Sequence, residues 1–233
     1  MTIQFNTPTT SKPAATEAIV RSVEGLTRPV WRGFYVGVGK RLLDCILIIL
    51  SLPIVLPLIG VFAFLVAVNG SSPFYWQQRV GRGGRHFSIL KLRTMIDDAD
   101  EALASYLRVN PKARREWELK QKLCHDPRVT KVGHILRKTS LDELPQLWNV
   151  FKGDMSLVGP RPMMVDQKDL YPGELYYELR PGITGLWQVS DRNDTSFADR
   201  ATFDNKYYCD VSLGMDLSLL ARTIGVVLRG TGY

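Results

Sequence analysis

Two adjacent carboxylates, Asp142 and Glu143, stand in the segment RKTSLDELPQLWNVFKGDMSLVGPRP at residues 137–162, just after the cations Arg137 and Lys138. Acids beside cations at a positive helix end stay ionised, and they suit a site that handles a metal and a phosphate. The same letters also have a purely structural explanation. Ser140-Leu-Asp-Glu143 matches a capping box, in which Ser140 caps a helix and Glu143 reaches back to its amide, and acids are favoured at a helix N-terminus in any case. Pro145 would then fall one turn in and remove a helical bond, so a start nearer Asp142, with Asp142 as the cap, fits the proline better. Spacing alone leaves both explanations open.

Other residues offer phosphate chemistry. Val158-Gly159-Pro160-Arg161-Pro162 is a rigid turn that presents one arginine, and a guanidinium can fork onto phosphate oxygens. Lys91 and Arg93 are at strand spacing and are expected on one side of a strand, where a merely solvated face is the alternative. Arg180-Pro-Gly-Ile-Thr-Gly185 reads as a second locked loop, followed by Trp187, which suits a core. Cys45, Cys124 and Cys209 are far apart and match no metal-ligand spacing, as expected for reduced, buried thiols. The net charge of +7 asks for an anionic partner: nucleic acid, an anionic membrane or a phosphate-rich substrate.

The elements that must position these groups divide into three regions. Residues 1–30 mix Thr, Ser, Pro and Ala without apolar periodicity and read as a poorly ordered tail. Residues 31–70 form a membrane-entry region. Within it, residues 45–68 carry no charge, and that length reaches the about 20 apolar residues needed to cross a bilayer. Pro53 and Pro57 interrupt the middle and predict a break. Both flanks are basic: Arg28, Arg32, Lys40 and Arg41 before, and Arg79, Arg82, Arg85, Lys91 and Arg93 after. Basic flanks favour the cytoplasmic side, which one spanning helix satisfies at only one end. The expectation is a re-entrant helical hairpin, with Ser51 as a candidate to repair the broken backbone; one kinked spanning helix and a buried core helix are the alternatives. Residues 71–233 form a cytoplasmic domain. It starts as strand, glycine turn and strand (residues 74–90), continues as helix over residues 97–123 broken at Asn110-Pro111, and includes an apolar stretch at 213–228 that suits either a core or a membrane surface. The fold class expected is α+β and membrane-associated: a re-entrant anchor plus a mainly helical domain with a small β-hairpin and amphipathic surface helices.

The ordered motifs together resemble the bacterial sugar transferase family, the monotopic polyprenol-phosphate phosphoglycosyl transferases. They are Lys40-Arg41-Leu-Leu-Asp44, Lys91-Leu-Arg93-Thr-Met, Ser140-Leu-Asp-Glu-Leu-Pro145, Lys152-Gly-Asp-Met-Ser156, Val158-Gly-Pro-Arg-Pro162, Arg180-Pro-Gly-Ile-Thr-Gly185 and Ser190-Asp-Arg-Asn193. The likeness spans about residues 38–229 and is greatest to the undecaprenyl-phosphate galactose phosphotransferases of exopolysaccharide synthesis. It implies that Asp142 is the nucleophile and a metal ligand, with Glu143 its partner carboxylate. It also implies that Lys91, Arg93, Arg137, Pro160 and Arg161 surround the substrates, with Mg2+ as cofactor. The implied reaction moves a sugar phosphate from a UDP-sugar to undecaprenyl phosphate through a phosphosugar-aspartyl intermediate, releasing UMP at the cytoplasmic face of the inner membrane. Galactose is the expected sugar and glucose the alternative; a homodimer stays open. Two departures stand out: Leu56 precedes Pro57 where the family often has serine, and Asp191 stands where it often has glycine. The chain is expected to be the short form, without the spanning helices of longer relatives. Two other classes stay open, a non-catalytic module that recruits polysaccharide enzymes and a tethered nucleic-acid binder. No helix-turn-helix or aromatic-basic repeat supports the second.

Overall fold

A computed structural model describes residues 33–68, 70–121, 123–190 and 196–229. The tail at residues 1–30, the cations Arg28 and Arg32, and Asp191-Arg192-Asn193 lie outside the described residues.

The apolar segment forms one element. A wide turn, Tyr35–Gly39, leads into α1 (Lys40–Val68), whose helix runs without interruption through Pro53 and Pro57. This corrects the expectation of a hairpin of two helices. The two prolines remove the donors to the carbonyls of Ile49 and Pro53. Ser51 does not repair them, because its hydroxyl donates to the Ile48 carbonyl at 2.8 Å. The helix is long and apolar enough to cross a membrane by length and composition. Nevertheless both of its ends pack on the same domain. Ile48 joins Ile89, Val150 and Met155 in one cluster, and Val66 joins Leu92 and Leu136 in another. Between them Ile54 and Leu56 are exposed, at 69% and 58%.

The hairpin is as the sequence predicts. β1 (Phe74–Val80) pairs antiparallel with β2 (His86–Leu92), matching Phe74 to Leu92 and Val80 to His86. Gly83 and Gly84 occupy the turn with φ of 66° and 74°, a region that side chains with a Cβ disfavour. The helical stretch is also broken where expected. α2 (Ala99–Val109) stops at Asn110, whose Oδ1 accepts from the Ala113 amide at 3.3 Å and so caps α3 (Pro111–Lys120).

Next come α4 (Lys131–Thr139), a 3-10 turn at Leu141–Gln146, and α5 (Leu147–Lys152). β3 (Ser156–Val158) then pairs in parallel with β4 (Gly182–Thr184), so the stretch read as a locked loop at 180–185 holds a short strand. The two backbones touch there. A Cβ on Gly159 would stand 2.4 Å from the Arg180 carbonyl oxygen, which is why glycine must occupy that position. α6 (Arg200–Asp210) and α7 (Leu213–Arg229) complete the order. α7 answers the sequence's ambiguity with two faces. Leu219 is buried with Val158, Tyr207 and Tyr208, whereas Leu217 and Ile224 are exposed. Trp187 is buried as expected, with the Arg200 guanidinium 4.1 Å from its ring centroid.

One buried polar knot ties the first helix to the last. Asp216, fully buried, accepts from Lys40 Nζ, from the Tyr35 hydroxyl at 2.6 Å and from the Tyr207 hydroxyl at 2.6 Å. A charge taken out of water needs such a set of partners to offset its desolvation.

Candidate active site

The tight turn after α4 brings the two carboxylates to the β-hairpin. Ser140 ends α4 in the left-handed conformation, φ 56° and ψ 21°, and its side chain caps nothing. A capping serine needs extended backbone, so neither the capping box nor Asp142 as a cap describes this turn. Only the backbone bond from the Glu143 amide to the Ser140 carbonyl remains, at 3.3 Å. The chain then winds as a 3-10 helix, in which residues three apart eclipse. Glu143 and Gln146 therefore line up along one edge.

Glu143 is clamped. Its Oε1 accepts from Lys91 Nζ on β2 and from Arg161 Nη2 in the turn after β3, each at 2.8 Å. Asp142 is held more loosely, with its Oδ2 3.9 Å from Lys91 Nζ, beyond hydrogen-bond distance. Both carboxylates are largely buried, with side-chain exposures of 11% and 13%. The two acids consequently behave differently. Burial pushes both up. For Glu143, Arg161 and Lys91 outweigh burial and hold the carboxyl well below the usual range. For Asp142 burial wins over the opposing pull of Lys91, the Glu143 charge adds to it, and the carboxyl rises to about 6. Burial also lowers Lys91 against the pull of both acids, whereas the Glu143 charge raises Arg161. Glu143 is thus a fixed anion and Asp142 an acid whose charge depends on pH near neutrality.

This gives a pH prediction. A raised carboxyl is protonated, and useless as a nucleophile, below its own value. We expect kcat/KM to rise with pH through about 6 and then level off, since that ratio reports the free enzyme. A profile flat between pH 5 and 7 would contradict the role given to Asp142.

The structure gathers the other expected residues unevenly. Arg137 donates from Nε to Thr94 Oγ1 at 2.9 Å, and its charge opposes the rise of Asp142. Pro160 shapes the turn, its carbonyl accepting from the Gly182 amide at 2.8 Å. Arg93 does not share a carboxylate with Lys91. It follows the end of β2, pairs with Asp97, and lies 5.7 Å from the Tyr75 ring centroid. It nevertheless lies on the side of the hairpin that Lys91 occupies, as the spacing predicts, because Tyr75 is the residue paired with Lys91.

Two residues that the sequence did not single out join the site. Arg79 and Gln146 line the same cleft as Lys91, Glu143 and Arg161. In sequence Arg79 reads only as a charge flanking the apolar segment. Gln146 carried a legible signal, because it lies one 3-10 turn from Glu143. A Mg2+ ion usually binds one or two carboxylates and completes its shell with water and substrate phosphate. No group of three or more metal-ligating side chains occurs among the described residues. With Glu143 engaged by two cations, Asp142 is the carboxylate free to share such an ion.

Comparison with known proteins identifies the family. The family profile "Bacterial sugar transferase" matches residues 35–230. A UDP-galactose-lipid carrier transferase of Erwinia amylovora is 47% identical over 195 residues, which is 83% of this chain but 41% of that protein. An undecaprenyl-phosphate galactose phosphotransferase of Salmonella typhimurium matches to the same extent: 47% identity, 83% of this chain and 41% of the relative. The chain therefore spans under half the length of these two. It covers 97% of the exopolysaccharide production protein ExoY of Sinorhizobium fredii, at 43% identity and over 95% of its own length. These matches bear out the resemblance carried by the motifs, and the chain belongs to the bacterial sugar transferase family.

Proposed function

We propose that the chain moves a sugar 1-phosphate from a UDP-sugar to undecaprenyl phosphate, as the first committed step of exopolysaccharide synthesis. The observation that carries this reading is the pairing of a loosely held, buried Asp142 with a Glu143 clamped by the cations Lys91 and Arg161. Asp142 Oδ attacks the phosphorus that bears the sugar. A P–O bond forms, the bond to the departing UMP breaks, and the phosphosugar stays on the aspartate. An oxygen of the lipid phosphate then attacks the same phosphorus. Asp142 leaves as a carboxylate, and the product is a diphosphate-linked sugar lipid. Carboxylate nucleophiles split phosphoryl transfer into two easier steps in this way. Arg161 and Lys91 fix Glu143 and offset negative charge near the reacting phosphate. A Mg2+ shared between Asp142 and the substrate phosphates would supply further charge neutralisation and in-line alignment.

The names of the similar proteins support galactose as the sugar and a polyprenol phosphate as the acceptor. The test is release of nucleotide from purified protein given undecaprenyl phosphate, Mg2+ and separate UDP-sugars. UMP with UDP-galactose is expected. UMP only with UDP-glucose would reassign the sugar. UDP in place of UMP would overturn the mechanism, and no nucleotide from a folded sample would favour a recruiting module.

We also propose that α1 sits in one face of the inner membrane, with the domain on the cytoplasmic side. Ile48 and Val66 are 18 positions apart, about 27 Å along a straight helix, close to the about 30 Å of a bilayer's hydrocarbon. Both pack on the same domain, which a helix crossing to the far side would not allow. Exposed Trp148 and Phe151 on α5, stacked at 6.1 Å, add an aromatic contact suited to the interface. With the native cysteines replaced, Gly33→Cys and Ser71→Cys should both be labelled only from the cytoplasmic side. Labelling of either from the periplasm would restore a spanning helix.

A further inference from the structure

Two buried donors in the cleft wall have no acceptor. Arg79 Nε and Gln146 Nε2 are both without a hydrogen-bond partner, and Gln146 is only 2% exposed. An unpaired buried donor costs about 1–3 kcal/mol, so native proteins keep few of them, and each calls for an explanation. Both belong to the cleft that Lys91, Glu143 and Arg161 line. The missing partner must therefore supply acceptor oxygens. It must also be negative, because Arg79, Lys91 and Arg161 face a single carboxylate among the lining residues. A phosphate group satisfies both demands.

We infer that Arg79 and Gln146 form a second phosphate seat, which holds the nucleotide-side phosphate of the donor and stabilises it as it departs. This rests on the transfer reaction proposed above. Arg79 is fixed for such a task. Its Nη1 donates to the Pro162 carbonyl at 3.1 Å and its Nη2 to Gln77, so both outer arms of the fork are anchored while Nε has no partner. Pro162 adjoins Arg161, so this anchor also sets two guanidiniums side by side. Gln146 is fixed by the 3-10 turn that places it below Glu143. The assignment to the departing phosphate follows from position relative to the nucleophile. Lys91 Nζ lies 3.9 Å from Asp142 Oδ2, whereas Arg79 is anchored on Pro162 and Gln77. Bond breaking leaves a growing negative charge on the UMP phosphate, and Arg79 and Gln146 supply unpartnered donors in the wall of the same cleft.

The experiment separates this seat from the lipid phosphate and from the nucleoside. Binding of UMP and of uridine is measured by calorimetry on the full chain in detergent, together with the KM for undecaprenyl phosphate. Arg79→Lys keeps a cation but loses the Nε donor, and Gln146→Met keeps the volume but loses the amide. Each should weaken UMP about tenfold, the loss expected for one hydrogen bond to a charged group. Uridine and the lipid KM should move less than about twofold. Gln146→Glu, nearly isosteric, replaces the donor with a negative charge and should weaken UMP further. Melting curves identify any variant that has lost its fold, and the others then carry the test. Unchanged UMP affinity in all folded variants, an equal loss of uridine, or a shift in the lipid KM instead would overturn the seat. A wild-type chain that releases no UMP would sink the transfer reaction itself; active wild type with indifferent variants would sink the seat alone.

Discussion

Asp142→Asn should abolish turnover, by about 10⁴-fold or more, the scale seen when a covalent nucleophile is removed. The measurement is UMP release, with wild type trapped after donor addition alone as a phosphosugar-bearing species that the variant fails to form. The same variant should melt no lower than wild type. The sign follows from linkage. Asp142 is raised in the folded chain to about 6, so its ionisation opposes folding once pH passes the ordinary aspartate range. Asparagine removes that opposition. Loss of activity with retained or improved stability marks a group kept for its chemistry. An Asn variant that unfolds would return Asp142 to a structural role. One that still turns over would end the nucleophile assignment.

Glu143→Gln should do the reverse and cost stability as well as rate. Lys91 and Arg161 both donate to one Glu143 oxygen, and the lysine is largely buried. Removing the anion leaves two cations facing each other. A broken buried pair typically costs 3–5 kcal/mol. Arg161 retains 33% side-chain exposure, so solvent relieves part of this and about 2–3 kcal/mol is expected. The folded-state carboxyl lies below its unfolded value. Its stabilisation is therefore present above pH about 4.3, the ordinary glutamate value, and fades as pH falls further. Denaturant melts of the two proteins should differ at pH 7 and converge in acid. Equal stability at pH 7 would show that the clamp does not support the fold.

Local signals made part of this site legible. The glycine turn and alternating apolar residues announced the β-hairpin that carries Lys91, and Asn110-Pro111 announced the break between α2 and α3. Arg161 stood out because prolines flank it. What sequence could not supply was partnership across long separations. Glu143 looked like a capping residue because Ser140 lies three positions earlier; its true partner, Lys91, is 52 positions away. Arg93 shares a side of the hairpin with Lys91, as strand spacing predicts, but its acid is Asp97 and not Glu143. The prolines of α1 foretold two helices where the structure has one running through both. Gly182 to Thr184 gave no sign of a strand, because three residues are too few to show alternation. Arg79 was hidden among other basic residues, since nothing local distinguishes a cation that faces a cleft from one that faces water.

The knot between Lys40 and Asp216 also constrains the order of events during synthesis. The two residues are 176 positions apart. At about 5–20 residues per second, Lys40 waits roughly 10–35 s for its partner to be made. The apolar stretch of α1 ends at Val68 and is complete through most of that interval. On the membrane placement proposed above, lipid is the first apolar environment offered to it, and the contact of Lys40 with Asp216 on α7 can form only later. A ribosome that stalls before Asp216 would, on that placement, leave α1 already in lipid with Lys40 still without the carboxylate that its knot requires.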